Sequence, residues 1–249
     1  MAGRLTFPEC ASWSAYAVGA DGEVLVAHEP DRVLSIASLG KVLLLLAAAR
    51  AIDEGELDPV EPLRRTPADE VADTGLWQDL GVEALPAADV AALIGAHSDN
   101  LATNVLLRRI GLENVPRLAH TALHDFVRDA RSAEHPPRLA SGTARELAGL
   151  FAQRLPPLVS GWLGRNADLS LVPGDLGLDP LAHPGRLRNK TGTDAGVRAD
   201  AGRIETPRGP VAYAVLANWS VASTHRPEAP DPLWRVIEAM RSVGREIAR

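Results

Sequence analysis

Ser38-Leu39-Gly40-Lys41 sets a hydroxyl and an amine three residues apart, at the head of the apolar run Val42 to Ala49. On a helix, residues at that spacing share a face. A serine hydroxyl attacks a carbonyl carbon poorly until a base takes its proton. A lysine kept uncharged by apolar surroundings can be that base, whereas an arginine stays protonated. The residue type is informative here, because only two of the 26 Lys and Arg residues are lysines, Lys41 and Lys190. The plainer alternative is a helix-capping serine followed by a lysine whose stem lies along apolar surface.

Two more short stretches carry chemistry of the same kind. In Ser98-Asp99-Asn100 the serine can relay a proton to a leaving group, and the asparagine can hold a substrate carbonyl or amide. The same three residues would also serve simply to cap a helix. In Lys190-Thr191-Gly192 the glycine admits a ligand close to the backbone, and lysine with threonine makes an anion-binding corner. Alternatively, Lys190 guards an edge strand.

The segments around these motifs predict how they are held. WSAYAV and EVLVAH read as strands joined around Asp21-Gly22. A helix is expected from Ser38 to Ile52, stopped by Gly55. Residues 56–86 contain repeated prolines and read as loop with brief helices. Helices over 89–97 and 101–110 flank Ser98-Asp99-Asn100, the second closed by Gly111. A further helix over 141–155 starts at Ser141 or Thr143, and 156–190 shows Pro and Gly with little periodicity. GVRADAGRIE and PVAYAVLANW alternate as strands around TPRGP. In DPLWRVIEAMRSVGREI the apolar residues at 233, 236, 237, 240, 243 and 247 share one helix face, with Asp231 as N-cap and Pro232 at the first helical position.

The expected architecture is α/β, of the α+β type, in a single domain over 1–249. Residues from about 1–37 and 186–249 pair into one antiparallel sheet covered by terminal helices, and about 38–185 form an inserted all-helical subdomain. A net charge of −6 offers no basic face for nucleic acid, and the apolar run at 42–49 is too short to span a membrane. Cys10 is the single cysteine, so no intrachain disulfide is expected, and it reads as inert. The N-terminus lacks a basic segment followed by an apolar one. As written the chain reads as cytoplasmic and soluble; a leader removed earlier would make it secreted or periplasmic.

The three motifs, in this order and each in a suitable element, resemble those of the penicillin-recognising serine hydrolases, specifically the class A β-lactamase family. WSAYAVGADGEVLVAHEPDRVLSIASLGK is similar to that family's first hairpin and nucleophile helix, and AIDEGELDPVEPL to the segment after it. HSDNLATNVLLRRIG and NKTGTDAGVRADAG are similar to its later motifs and their flanks. The resemblance implies a β-lactamase/transpeptidase-like fold, with Ser38 acylated, Lys41 as its base and Ser98 as proton shuttle. It further implies that Asn100 binds a substrate amide and that Lys190 and Thr191, beside Gly192, face a substrate carboxylate. The N–H groups of Ser38 and Thr193 would form the oxyanion hole. Arg198 would be a second carboxylate contact, or else a solvent-facing strand arginine.

One feature of the family is missing. Its hydrolytic members carry a deacylating glutamate in an E-x-x-L-N motif, and no such motif lies between Asn114 and Arg145. Asp125, Asp129 and Glu134 are the carboxylates at hand. The implied function is an active-site serine hydrolase that opens β-lactam-like amides through an acyl-enzyme on Ser38, releases it slowly, and acts in antibiotic resistance. A serine esterase, peptidase or acyl-transferase working on a metabolite, and a non-hydrolytic β-lactam-binding protein, are the alternatives. The expected partner is a small-molecule substrate, with no cofactor. His120, His124 and Asp125 invite a metal reading, but without H-E-x-x-H or a third ligand none is expected. His97 reads as lining the site or closing a helix end, and Trp77 and Trp219 as packing or a pocket rim.

Overall fold

The computed structural model describes residues 5–221 and 232–249. The chain runs through β1 (Ser12–Gly19), β2 (Val24–His28), β3 (Leu34–Ser35), α1 (Lys41–Asp53), β4 (Pro62–Arg64) and β5 (Ala84–Pro86). It continues through α2 (Ala87–His97), α3 (Asn100–Ile110), β6 (Ala122–Leu123), β7 (Ala140–Gly142), α4 (Ala144–Ala152) and α5 (Pro157–Leu163). It ends with β8 (Leu187–Asp194), β9 (Val197–Thr206), β10 (Gly209–Asn218) and α6 (Pro232–Ile247).

Strands from both ends pair in the order β2-β1-β10-β9-β8, antiparallel throughout. The first hairpin turns at Gly22, which takes the positive φ (86°) that a tight turn demands. Period-two alternation sends the side chains of β1, β9 and β10 to two cores. Along β10, Val211, Tyr213, Val215 and Ala217 face a core shared with Val236, Met240 and Val243 of α6. Ala212, Ala214 and Leu216 face the larger core with α1 to α5. On that face α4 lies over β1, β9 and β10, where alanines allow close approach. Pro232 opens α6 as expected, while Asp231, its expected N-cap, lies outside the described residues.

The insert carries α1 to α5 and is not wholly helical. It also holds two short ladders, β4-β5 and β3-β7-β6, the latter joining the insert to the strand before Ser38. These pairings satisfy backbone groups that the proline-rich connections leave without helical partners. Thr143 caps α4 through its side chain, whereas Ser141 pairs in β7. The aperiodic stretch after it hides α5, a seven-residue helix opening on Pro157. Among the described residues, no helix is long and apolar enough to cross a membrane.

Candidate active site

Ser38 does not begin an α-helix. It sits in a 3-10 turn, Ala37–Gly40, and α1 starts at Lys41. In a 3-10 turn residues i and i+3 eclipse, so the Ser38–Lys41 spacing brings the two side chains to one side. The turn is pinned by Ile36 N–H to Ala140 O (3.1 Å) and Leu39 N–H to Ile36 O (3.0 Å). Ala37 takes φ +44°, a left-handed conformation costly for a residue with a Cβ, directly before the serine. From the other side β8 presses on the turn. A Cβ on Gly192 would come within 2.0 Å of Ile36 O and 2.8 Å of Leu39 N, so only glycine permits this approach. A Cβ on Gly40 would likewise meet Ala140 Cβ at 2.3 Å.

Lys41 is fully buried. Its Nζ donates to Ser98 O (2.6 Å) and Asn100 Oδ1 (2.7 Å), and lies 3.5 Å from Ser98 Oγ. Burial, reinforced by repulsion from Lys190 and opposed by Asp99, drives its pKa well below that of a free lysine. A neutral amine has two N–H groups, and two carbonyl oxygens engage both. In an uncharged Lys41 those two bonds would leave the lone pair to accept a hydroxyl proton. Among the described residues Ser38 Oγ makes no hydrogen bond to Lys41, whose bonds all run to Ser98 and Asn100.

Within Ser98-Asp99-Asn100 the capping and chemical readings divide by residue. Asp99 is the N-cap of α3, accepting from Ala102 N–H (2.8 Å), and its other oxygen takes the N–H groups of Leu76 and Trp77. Ser98 closes α2 in the left-handed region, with φ 56°. Asn100 is buried, and its Nδ2 donates to Ala72 O (3.1 Å), so both ends of its amide are engaged. Its visible role is to orient Lys41.

Lys190 is also fully buried, with Nζ donating to Thr191 O (2.9 Å). Burial lowers its pKa to about 8, against the attraction of Asp168 and Asp200. Beneath it lies a polar chain that sequence reasoning missed. Asn166 donates to Asn189 (2.9 Å), Asn189 to Asp200 (3.0 Å), and Tyr213 OH also bonds Asp200 (3.2 Å). Burial pushes Asp200 up to about 7, with repulsion from Asp168 adding to it, against the bonds from Asn189, Val172 N–H and Tyr213.

A cleft of about 410 Å³ has Ser38, Ser98, Thr191, Thr193, His97 and Asp168 in its walls, while Lys41, Asn100 and Lys190 are buried and do not line it. Arg198 does not line it either. Its guanidinium bonds the carbonyls of Asp194 and Val197 and lies over Trp219. Trp77 is buried, its indole N–H on Val82 O (3.0 Å), and does not rim the cleft.

The carboxylates expected between 125 and 134 are engaged or turned elsewhere. Asp125 accepts from Phe126 N–H, twice from Arg128 and once from Arg131, all at 2.7–3.0 Å. Burial raises its pKa, but those bonds prevail and hold it below the ordinary aspartate value. Asp129 caps Ala72 N–H (2.8 Å), and Glu134 is exposed. The carboxylate that does line the cleft is Asp168, accepting from Ser170 N–H and Oγ. His120 faces Glu146 and His124 faces Ser141, so they do not converge with Asp125. Among the described residues no three His, Cys, Asp or Glu side chains gather as metal ligands.

Solved structures share this fold. A β-lactamase from Sphaerobacter thermophilus DSM 20745 superposes with a TM-score of 0.78 at 24% identity, covering 95% of this chain and 90% of its own. An L158E mutant of PBP-A, solved as an acyl-enzyme complex with penicillin G, gives 0.78 at 24%, covering 96% and 90%. A class A β-lactamase from Mycobacterium abscessus gives 0.71 at 18%, covering 96% and 95%. No curated protein matches the chain. The Beta-lactamase enzyme family matches residues 8–248, nearly the whole length, and the chain belongs to that family.

Proposed function

We propose that the protein is a serine acyl-transfer enzyme that opens β-lactams or related strained amides and esters through an acyl-enzyme on Ser38. The observation that carries this reading is the buried Lys41 amine, with both N–H groups held by Ser98 O and Asn100 Oδ1. Ser38 Oγ attacks the carbonyl carbon as its proton passes to the Lys41 lone pair. Ser98, against the same amine, hands a proton to the leaving nitrogen or oxygen. The N–H groups of Ser38 and Thr193 receive the oxyanion, and Lys190 with Thr191 and Thr193 receives a substrate carboxylate. The test is turnover of a chromogenic cephalosporin by the wild type and by Ser38→Ala. The wild type is expected to show at least a stoichiometric burst and the variant none; equal signals from the two would refute the role of Ser38.

The second half of the reaction follows a different course from the family's hydrolytic members. With Asp125 saturated by two arginines, no carboxylate from 125–134 stands ready to activate water, which favours a long-lived acyl-enzyme. The expected time course is therefore a burst followed by slow turnover, or a burst alone if the protein acts as a β-lactam binder.

A further inference from the structure

The cleft does not end at its α2 wall. Ala96, His97 and Ala167 line it and also line a second hollow of about 610 Å³ running along the outer side of α2. The walls of that trough are Leu80, Leu85, Ala92, Leu93 and Leu181. Leu181 is 88% exposed and Leu80 41%, so the trough presents apolar side chains to solvent. Asp89 and Asp179 stand at its margin, and Asp179 is occupied in capping Leu181 N–H (2.7 Å).

The trough leads on. Arg165, Pro180 and Leu181 belong both to it and to a basin of about 860 Å³ whose charged lining is Arg154, Arg165, Arg188, Arg203 and Glu205. Glu205 is shared by Arg188 (3.9 Å) and Arg203 (3.2 Å), so the basin carries excess positive charge. Three hollows thus follow one another: a nucleophile cleft, an apolar channel and a cationic end. The channel opens beside Ser98, the residue on the leaving-group side of the reaction proposed above, on which this step rests.

We infer that the physiological substrate is an ester or amide whose leaving portion is an apolar arm ending in an anionic group, the arm lying along α2 and the anion reaching Arg165. In the reaction Ser38 Oγ bonds to the acyl carbon and the bond from that carbon to the arm's oxygen or nitrogen breaks. The serine proton travels through Lys41 and Ser98 to the departing atom, so the arm leaves as an alcohol or amine that keeps its distal anionic group. Water later releases the acyl group as a carboxylic acid and restores Ser38.

Ethyl, octyl, carboxyheptyl and aminooctyl phenylacetates, which share one acyl group, test this. Octyl should exceed ethyl in kcat/KM by roughly tenfold or more, from methylenes buried in the trough. Carboxyheptyl should exceed aminooctyl. Leu181→Asp should remove the octyl-over-ethyl ratio, and Arg165→Glu should reverse the carboxyheptyl-over-aminooctyl order. Equal rates for ethyl and octyl, or an octyl advantage untouched by Leu181→Asp, would overturn the apolar channel. An unchanged order in Arg165→Glu would overturn its anionic end. If intact mass shows that no ester or penicillin acylates Ser38, the acyl-transfer reading falls instead. The trough is then judged by displacement of bound phenylnaphthylamine by octanoate, which Leu181→Asp must weaken if the channel exists and leaves unchanged if it does not.

Discussion

At Lys41 the residue type, its burial and its two carbonyl partners give one account: an amine whose charged form burial disfavours, aimed by its own hydrogen bonds. Lys190 differs in degree. Its pKa of about 8 leaves it mostly charged at neutral pH and mostly neutral a unit or more above that value. If it holds a substrate carboxylate, KM for a penicillin should climb as pH rises through about 8, while KM for a neutral ester should stay flat. Parallel profiles for the two substrates would remove Lys190 from carboxylate binding. Both lysines were legible because they are scarce and each falls in a contiguous motif. Asn166, Asp168, Asn189 and Asp200 were not, because each is an ordinary polar residue until the fold stacks them beneath Lys190.

At the scale of elements, the turn that carries Ser38 is clamped between β7 and β8. Gly40 lies against Ala140 on one side and Gly192 against Ile36 and Leu39 on the other. Gly192→Ala should force the turn and β8 apart and cost about 10²-fold in acylation rate, because an ångström of misplacement is enough to spoil attack geometry. The check is the acylation rate by penicillin beside a thermal melt; an unchanged rate in a folded variant would contradict the clamp. The sequence pattern foretold a helix beginning at Ser38, whereas the α-helix begins at Lys41 after a 3-10 turn. Apolar periodicity cannot separate the two, since both place Ser38 and Lys41 on one side. The short ladders escaped for a related reason: two- and three-residue strands have no measurable period.

Across the whole molecule, one sheet separates two cores, and Asp200 is buried in the one away from the cleft while coupled to Lys190 on β8. Its pKa of about 7, against 3.8 for an ordinary aspartate, means that the folded protein binds a proton there that the unfolded chain releases. A raised folded pKa gives stability that is present below about pH 4 and lost as pH rises to about 7. Asp200→Asn should therefore flatten the fall in Tm across that window, and an unaltered slope would show Asp200 ionised throughout. The broad plan, terminal strands enclosing a helical insert, was readable from where alternation gives way to helical period. The relation of the three hollows was not, since it depends on how α2 meets the segment at 165–181. Acylation of Ser38, with Lys41 as its base, is the step on which the proposed function depends. Intact-protein mass after incubation with penicillin G tests it most directly: one added penicillin mass, absent in Ser38→Ala, is the predicted result, and an unmodified protein with no hydrolysed penicillin in solution would contradict it.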